Sequence, residues 1–127
     1  MREHRGDGHL AATLSSGLDA VEANVFTELW LGYGIGEYSS TRGWSAERIA
    51  AALASLEARG WVHDGTLTAD GVGARLQLER DTDSTQTQLI ALLGGGLDEL
   101  ISRAAALSDL VMAAVSFPPD PRKRAAG

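Results

Sequence analysis

The strongest constraint on the fold is a segment that begins at Ser45 and carries closely spaced signals for a helix start, a helix end and a turn. Ser45 is a preferred helix N-cap, and the apolar residues after it recur at helical spacing over 46–59. Gly60 follows directly, where helices commonly end in a left-handed residue. Asp64-Gly65 then separates two short β-prone runs, which is the strongest local signal for a two-residue hairpin. The segment therefore predicts a helix followed by a small two-stranded ribbon.

Further helices are predicted on both sides of this segment. Their signals are apolar residues at helical spacing, cap residues at the start and glycines at the end. The predicted helices cover 8–15 with Asp7 as N-cap, 18–31, one or two turns within 35–42, 69–93 with Thr68 as N-cap, and 97–115. The run Gly94-Gly95-Gly96 ends the fourth of these helices or acts as a hinge.

This order of elements resembles the winged helix-turn-helix of the MarR superfamily. The residues that carry the resemblance are Gly43-Trp44-Ser45, Leu56-Glu57-Ala58-Arg59-Gly60-Trp61-Val62 and Leu67-Thr68-Ala69-Asp70-Gly71. The N-terminal REHRGDGH run, 2–9, is also similar to a motif of an uncharacterised actinobacterial helix-turn-helix family. The resemblance implies a mainly α fold with a small two-stranded β-wing. It implies one domain over 1–117 with terminal dimerisation helices, and the proline-containing residues 118–127 are expected to form a disordered tail.

The surface that would read DNA is poor in suitable side chains. The resemblance makes Arg42, Ser45 and Arg48 the candidate DNA contacts, but Ala46, Glu47, Ala50 and Ala51 occupy most exposed places on the recognition helix. The hairpin tip carries no Lys or Arg, and the chain has a formal charge of −6. Because phosphate neutralisation by cations supplies most non-specific affinity for DNA, we expect DNA binding to be weak or absent.

Aromatic residues form a candidate ligand pocket. The resemblance implies that Trp30, Tyr33, Tyr38 and Trp44 lie where MarR-like proteins take small aromatic ligands, between the core and the dimer helices. Packing in the core is the alternative role, especially for Trp44 and Trp61.

A polar candidate site lies in the N-terminal run. His4, Arg5, Asp7 and His9 could hold a divalent metal or act as an acid/base set, since imidazole titrates near neutral pH. Alternatively, Asp7 only caps a helix and the histidines pack or face water. Because the spacing matches no helical metal motif, we predict no bound metal and no cofactor.

Partners and location follow from the remaining composition. The apolar stripe of 97–115 has no partner surface in so short a chain, so we predict a homodimer. Cysteine is absent, which excludes disulfides and thiolate metal sites, and no apolar run approaches the roughly 20 residues that span a membrane. We therefore expect a cytoplasmic protein with no membrane partner.

Three functions fit these observations. The first is a winged-helix regulatory or interaction module with an eroded DNA-reading surface, which binds a small molecule or a protein partner. The second is a DNA-binding transcriptional regulator of the MarR type. The third is an enzyme or metal site built on His4, Asp7 and His9, although no catalytic triad and no nucleotide-binding loop can be recognised.

Overall fold

The computed structural model describes residues 2–114. The chain divides into two units, Met1–Thr85 and Gln86–Gly127. The tail predicted over 118–127 lies outside the described residues, and the single domain over 1–117 stays a prediction. The elements of the first unit are α1 (Arg2–Ser15), α2 (Ala20–Trp30), a 3₁₀ turn (Ser39–Arg42), α3 (Ala46–Ala58), β1 (Val62–His63), β2 (Thr66–Leu67) and α4 (Ala69–Ser84). Those of the second are α5 (Thr87–Leu93), a 3₁₀ turn (Gly94–Gly96) and α6 (Leu97–Ala114).

Helix α2 begins with a reciprocal capping box. Asp19 Oδ1 accepts hydrogen bonds from the backbone N–H of Val21 and of Glu22, each at 2.8 Å. The Glu22 carboxylate accepts from the Asp19 backbone N–H at 2.8 Å. Two backbone donors that the helix itself cannot satisfy are thereby paired, and this fixes where α2 starts.

Helix α3 supplies one wall of the core. Ser45 accepts a hydrogen bond from the Arg48 backbone N–H, and Gly60 follows the helix with a φ of 73°. Both ends are as predicted. The buried stripe of α3, Ile49, Ala52 and Leu56, packs against α2 and β1 in a core whose other buried members are Leu18, Val21, Val25, Phe26 and Val62.

The predicted wing is confirmed. Val62 pairs with Leu67 and His63 with Thr66 in an antiparallel two-stranded sheet. Asp64 and Gly65 occupy the turn with φ values of 48° and 69°, as a two-residue hairpin of this kind requires. The first unit is therefore mainly helical with a small β-wing, which is a winged helix-turn-helix.

The start of α1 differs from the prediction. The helix begins at Arg2, so the prediction that Asp7 caps a helix over 8–15 is wrong, and Asp7 lies exposed inside the helix. In the sequence Gly6 and Gly8 suggest a loop before the helix, but both lie inside α1. A Cβ on Gly8 would lie 2.1 Å from Thr85 Oγ1, so Gly8 is a site of close approach and not a helix boundary.

The helix predicted over 69–93 is divided after Ser84. Ser84 Oγ donates to Asp81 O and Thr85 Oγ1 donates to Thr82 O, at 2.7 and 2.6 Å. These side chains occupy carbonyls of the last turn, and the Thr85 backbone N–H closes a 3₁₀ bond to Thr82 O. Competition of this type between hydroxyls and the backbone ends α4.

The second unit leaves an apolar helix face exposed. Helix α6 buries none of its described residues. Its exposed large apolar residues are Leu100, Ile101, Leu107, Leu110, Val111 and Met112. Among the described residues, no helix is both long and apolar enough to cross a membrane.

Candidate functional site

The exposed start of α3 presents small apolar residues and one carboxylate. Ala46, Glu47 and Ala50 are exposed there. Hydrogen bonds from its own backbone N–H and from the Ser45 side chain lower the pKa of Glu47, so its carboxylate is charged at neutral pH. Ser45 is occupied as the N-cap of α3. A recognition helix built in this way places a negative charge and methyl groups where base edges and phosphates would lie.

Two of the arginines near α3 are engaged within the fold. Arg59 donates to Gly17 O at 2.6 Å and to Ser16 O at 3.2 Å, and its guanidinium lies 5.1 Å from the Trp61 ring centroid. Arg42 donates through Nε and Nη2 to the Tyr38 hydroxyl, at 2.9 and 2.6 Å. These contacts restrain both guanidinium groups.

Arg48 is the most accessible cation on α3. Its side chain is 63% exposed, with Nη2 4.0 Å from Asp19 Oδ2. The guanidinium carbon lies 6.0 Å from the Trp44 ring centroid, at the edge of cation–π range. The wing adds no Lys or Arg, and its exposed tip residues His63 and Asp64 lie 3.5 Å apart.

An open apolar cleft of about 340 Å³ lies beside α3. It is bounded by the first turns of α3 and by the segment that precedes it. Its lining residues are Ile35, Gly36, Ser40, Trp44, Ala46, Ile49, Ala50 and Leu53. Trp44 Nε1 is buried and has no acceptor among the described residues. Trp44 therefore contributes to the apolar wall of the cleft, and its indole N–H is a buried donor without an acceptor among the described residues.

The four aromatic residues predicted to form one pocket are distributed over three places. Trp44 lines the cleft and packs against the core. Tyr33 and Tyr38 stack on each other with ring centroids 6.2 Å apart. Trp30 lies over the Arg75 guanidinium at 5.7 Å. Trp61 stacks on Phe26 at 5.3 Å, which confirms its expected packing role.

A polar cluster joins α1 to α4. We call Arg5, His9, Arg75, Glu79 and Thr82 the α1–α4 cluster. Glu79 accepts from Arg75 Nη1 through one carboxylate oxygen and from Arg5 Nη2 through the other, the latter at 2.8 Å. Burial alone would raise the pKa of Glu79, but the hydrogen bonds from Arg75 and Arg5 outweigh it and lower the pKa. Glu79 is thus a charged bridge between two arginines.

Arg75 is the buried member of this cluster. Only 6% of the residue is exposed, and its Nε has no partner among the described residues. Burying a charge is costly unless all of its donors are paired, so an unsatisfied guanidinium nitrogen is unusual.

His9 lies beside Arg75. Its Nδ1 is 3.1 Å from Thr82 Oγ1. Burial lowers the pKa of His9 below 6.5, and the positive charge of Arg75 lowers it further. The imidazole is therefore neutral at physiological pH.

A family model described as a helix-turn-helix family matches residues 1–118. The chain belongs to this helix-turn-helix family. No curated protein and no solved structure matches the chain significantly. Membership indicates a DNA-binding or regulatory module, and the finer resemblance to the MarR superfamily and to actinobacterial proteins stays a prediction.

In this helix-turn-helix chain, the N-terminal candidates point in different directions. Arg5 and His9 face α4, whereas His4 and Asp7 are exposed. No group of three potential ligands suitable for a metal occurs within 2–114. Sequence reasoning missed Arg75, Glu79 and Thr82. The spacing of Arg75 and Glu79, four residues apart in a predicted helix, was the available signal for an ion pair.

Proposed function

We propose that the chain is a winged-helix regulatory module in which the surface of α3 binds a small apolar molecule instead of reading base sequence. The observation that carries the proposal is the cleft beside α3. Its volume of about 340 Å³ falls at the lower end of ordinary ligand pockets. Such pockets are mostly apolar with a few polar groups that orient the ligand, and here Ser40 supplies the polar side chain.

The chemistry of the lining defines the ligand. No acidic or basic side chain lines the cleft, so a charged ligand group would be left without a counter-ion. An uncharged aromatic ring fits the walls formed by Trp44, Ile49 and Leu53. The Ser40 hydroxyl is the polar side chain of the lining and can donate to a carbonyl oxygen on that ring.

The charges on the recognition surface support the same proposal. On this surface Arg48 can contact a phosphate or a guanine edge, but the negative charge of the neighbouring Glu47 repels phosphates and base acceptors. A regulator that makes several phosphate contacts needs a matching set of cations aimed at the backbone. DNA binding of the MarR type is the second candidate, favoured by family membership and by the exposure of Arg48.

We further propose that the protein acts as a homodimer through α6. The exposed apolar residues of α6 recur at helical spacing on an 18-residue helix. A dimer would remove this stripe from water and place two winged helices in one molecule.

A titration followed at the tryptophan indole N–H signals tests ligand binding. Acetophenone supplies an uncharged ring with one acceptor, and benzoate is its anionic counterpart. We expect a saturable shift of the Trp44 indole N–H with acetophenone, a weaker response to benzoate and none at Trp61. Trp44→Phe assigns the signal.

Two alanine substitutions provide the matched comparison. Ala50→Leu fills the cleft and should abolish the Trp44 response, whereas Ala54→Leu adds the same volume on an exposed part of α3 outside the lining. Equal responses of Ala50→Leu and the unsubstituted protein would contradict the proposed site.

A further inference from the structure

A buried carboxylate of α2 holds the chain segment that precedes α3. Glu28 is completely buried. Its Oε1 accepts a hydrogen bond from the Gly36 backbone N–H at 2.7 Å. Its Oε2 accepts from the backbone N–H of Tyr38 and of Ser39, at 3.0 and 2.8 Å. Because a carboxylate has lone pairs for all three donors, one side chain fixes the whole segment 36–39 against α2.

The held segment forms one wall of the cleft beside α3. Gly36 is a lining residue, and so are Ile35 and Ser40 on either side of the held segment. Gly36 has a φ of 83°, and a Cβ built on it would lie 3.9 Å from Ile49 Cδ1 on the opposite wall. The Glu28 carboxylate therefore lies one hydrogen bond behind a residue of the cleft wall.

Glu28 also places a formal negative charge behind this wall. No Lys, Arg or His belongs to the lining, so no side chain there balances it. A charge in the protein interior acts through a low dielectric and is screened little by salt. The charged residues next to the lining in the chain, Glu37, Glu47 and Arg48, are exposed, and salt screens their effect. At high salt the field of Glu28 therefore dominates in the cleft.

We propose that Glu28 is the specificity-determining residue of the cleft, where it holds the wall in place and discriminates against anionic ligands. The inference rests on the proposed function of the cleft and narrows its ligand class to neutral or cationic aromatic molecules. A neutral ring needs no counter-ion. Both a cation and an anion lose hydration on entry, but Glu28 attracts the cation and repels the anion.

Three ligands of one shape and different charge test the proposal in the unsubstituted protein. Benzamide is neutral, benzamidinium carries one positive charge and benzoate one negative charge, and all three share a planar group on a benzene ring. Their affinities are measured at neutral pH from the Trp44 indole N–H signal, at about 0.5 M salt to screen exposed charges. Benzamidinium should bind at least about tenfold more tightly than benzoate. Equal affinities of these two ligands would overturn the proposal.

Glu28→Gln separates the effect of the charge from the effect of the wall. The amide has one acceptor oxygen, so it cannot accept from both Gly36 and Ser39, and benzamide should bind more weakly. Loss of the charge should bring the ratio of the benzamidinium and benzoate affinities to about 1. A purely structural role would weaken all three ligands and leave this ratio unchanged, which would also overturn the proposal.

Glu37→Gln is the matched control. Glu37 lies in the same segment, is exposed, and accepts the Gly34 backbone N–H at 3.2 Å. Its substitution removes the same charge from a screened position and should leave the three affinities at high salt unchanged. The ligand series in the unsubstituted protein decides the proposal even if Glu28→Gln does not fold.

Failure of this inference can be distinguished from failure of the proposed function. Saturable binding of benzamide without any preference between benzamidinium and benzoate overturns the role of Glu28 and leaves the cleft as a ligand site. No saturable response to benzamide or to acetophenone contradicts the ligand site itself, and the role of Glu28 with it.

Discussion

Replacing Gly71 with alanine should destabilise the protein, although alanine is the better helix former. Gly71 lies in the first turn of α4, where a Cβ would be 2.0 Å from the Trp61 backbone oxygen. That oxygen also accepts the Thr68 backbone N–H at 3.0 Å. Bringing the new Cβ to 3.0 Å requires α4 or β1 to move by at least about 1 Å, because the opposing atom is backbone and cannot rotate away.

The magnitude follows from two opposing terms. Alanine in place of glycine gains about 1 kcal/mol of helix propensity, and overpacking costs typically about 1–3 kcal/mol, with a further ~1 kcal/mol if the Thr68 hydrogen bond is lost. We therefore expect a net loss of up to about 2 kcal/mol in the free energy of unfolding, or about 1–3 kcal/mol when the Thr68 hydrogen bond is lost as well. Gly73, two residues along α4, has nothing within 4 Å of its Cβ position, so Gly73→Ala should stabilise by about 0.5–1 kcal/mol.

Urea unfolding followed by circular dichroism measures both variants. Gly71→Ala should lower the midpoint and Gly73→Ala should raise it, with unchanged slopes. Equal stability of the two variants would refute the close approach of α4 to the wing, and with it this part of the winged-helix fold.

Three further predictions follow from other parts of the molecule. Gly65→Val should cost about 1 kcal/mol or more, because a β-branched residue at a φ of 69° is strained and its Cβ would lie 3.1 Å from Ile35 Cδ1; an unchanged melting temperature would contradict the turn. Burial and the positive charge of Arg75 lower the pKa of His9, while Arg5 opposes and Glu79 favours its protonation. On acidification the unfolded chain therefore binds this proton before the folded chain does. The contribution of His9 to the free energy of unfolding should be full above pH 6.5 and fall as the pH drops through 6.5 towards the pKa of His9 in the folded state. His9→Gln should remove that part of the pH dependence in urea unfolding, and a profile identical to the unsubstituted protein would exclude the buried neutral imidazole. Leu107→Glu should convert the proposed dimer to a folded monomer in light scattering, because it places a charge in the α6 stripe; a monomer before substitution would exclude the dimer.

The parts of the fold that sequence could predict are those with local causes. Ser45 and Gly60 bound α3, and Asp64-Gly65 forms the hairpin turn, because caps and positive-φ turns depend on residues next to them in the chain. The same reasoning failed at Gly8, whose role is set by Thr85 across an interhelical contact. It failed after Ser84 because short-range hydroxyl bonds ended a helix whose apolar spacing continues.

The same distinction between local causes and distant contacts applies to the candidate sites. Arg48 and the alanine-rich surface of α3 could be located from sequence, since they depend on the register of one helix. The α1–α4 cluster could not, because the burial of Arg75 depends on Trp30 and α1 reaching it from distant parts of the chain. Likewise, the separation of Trp30 from Trp44 depends on how α2 and α3 pack.

We propose that the surface of α3 does not read base sequence, and the salt dependence of DNA binding distinguishes this surface from that of a sequence-specific reader. Fluorescence anisotropy with a labelled random duplex and with duplexes enriched by selection gives the affinity at each salt concentration. A reader that makes six to ten phosphate contacts loses roughly 10³–10⁵ in affinity between low and moderate salt. For this protein we expect micromolar or weaker binding at physiological salt, a shallow slope and little preference for selected duplexes. A nanomolar complex on a palindromic duplex with a steep slope, lost in Arg48→Ala, would contradict it.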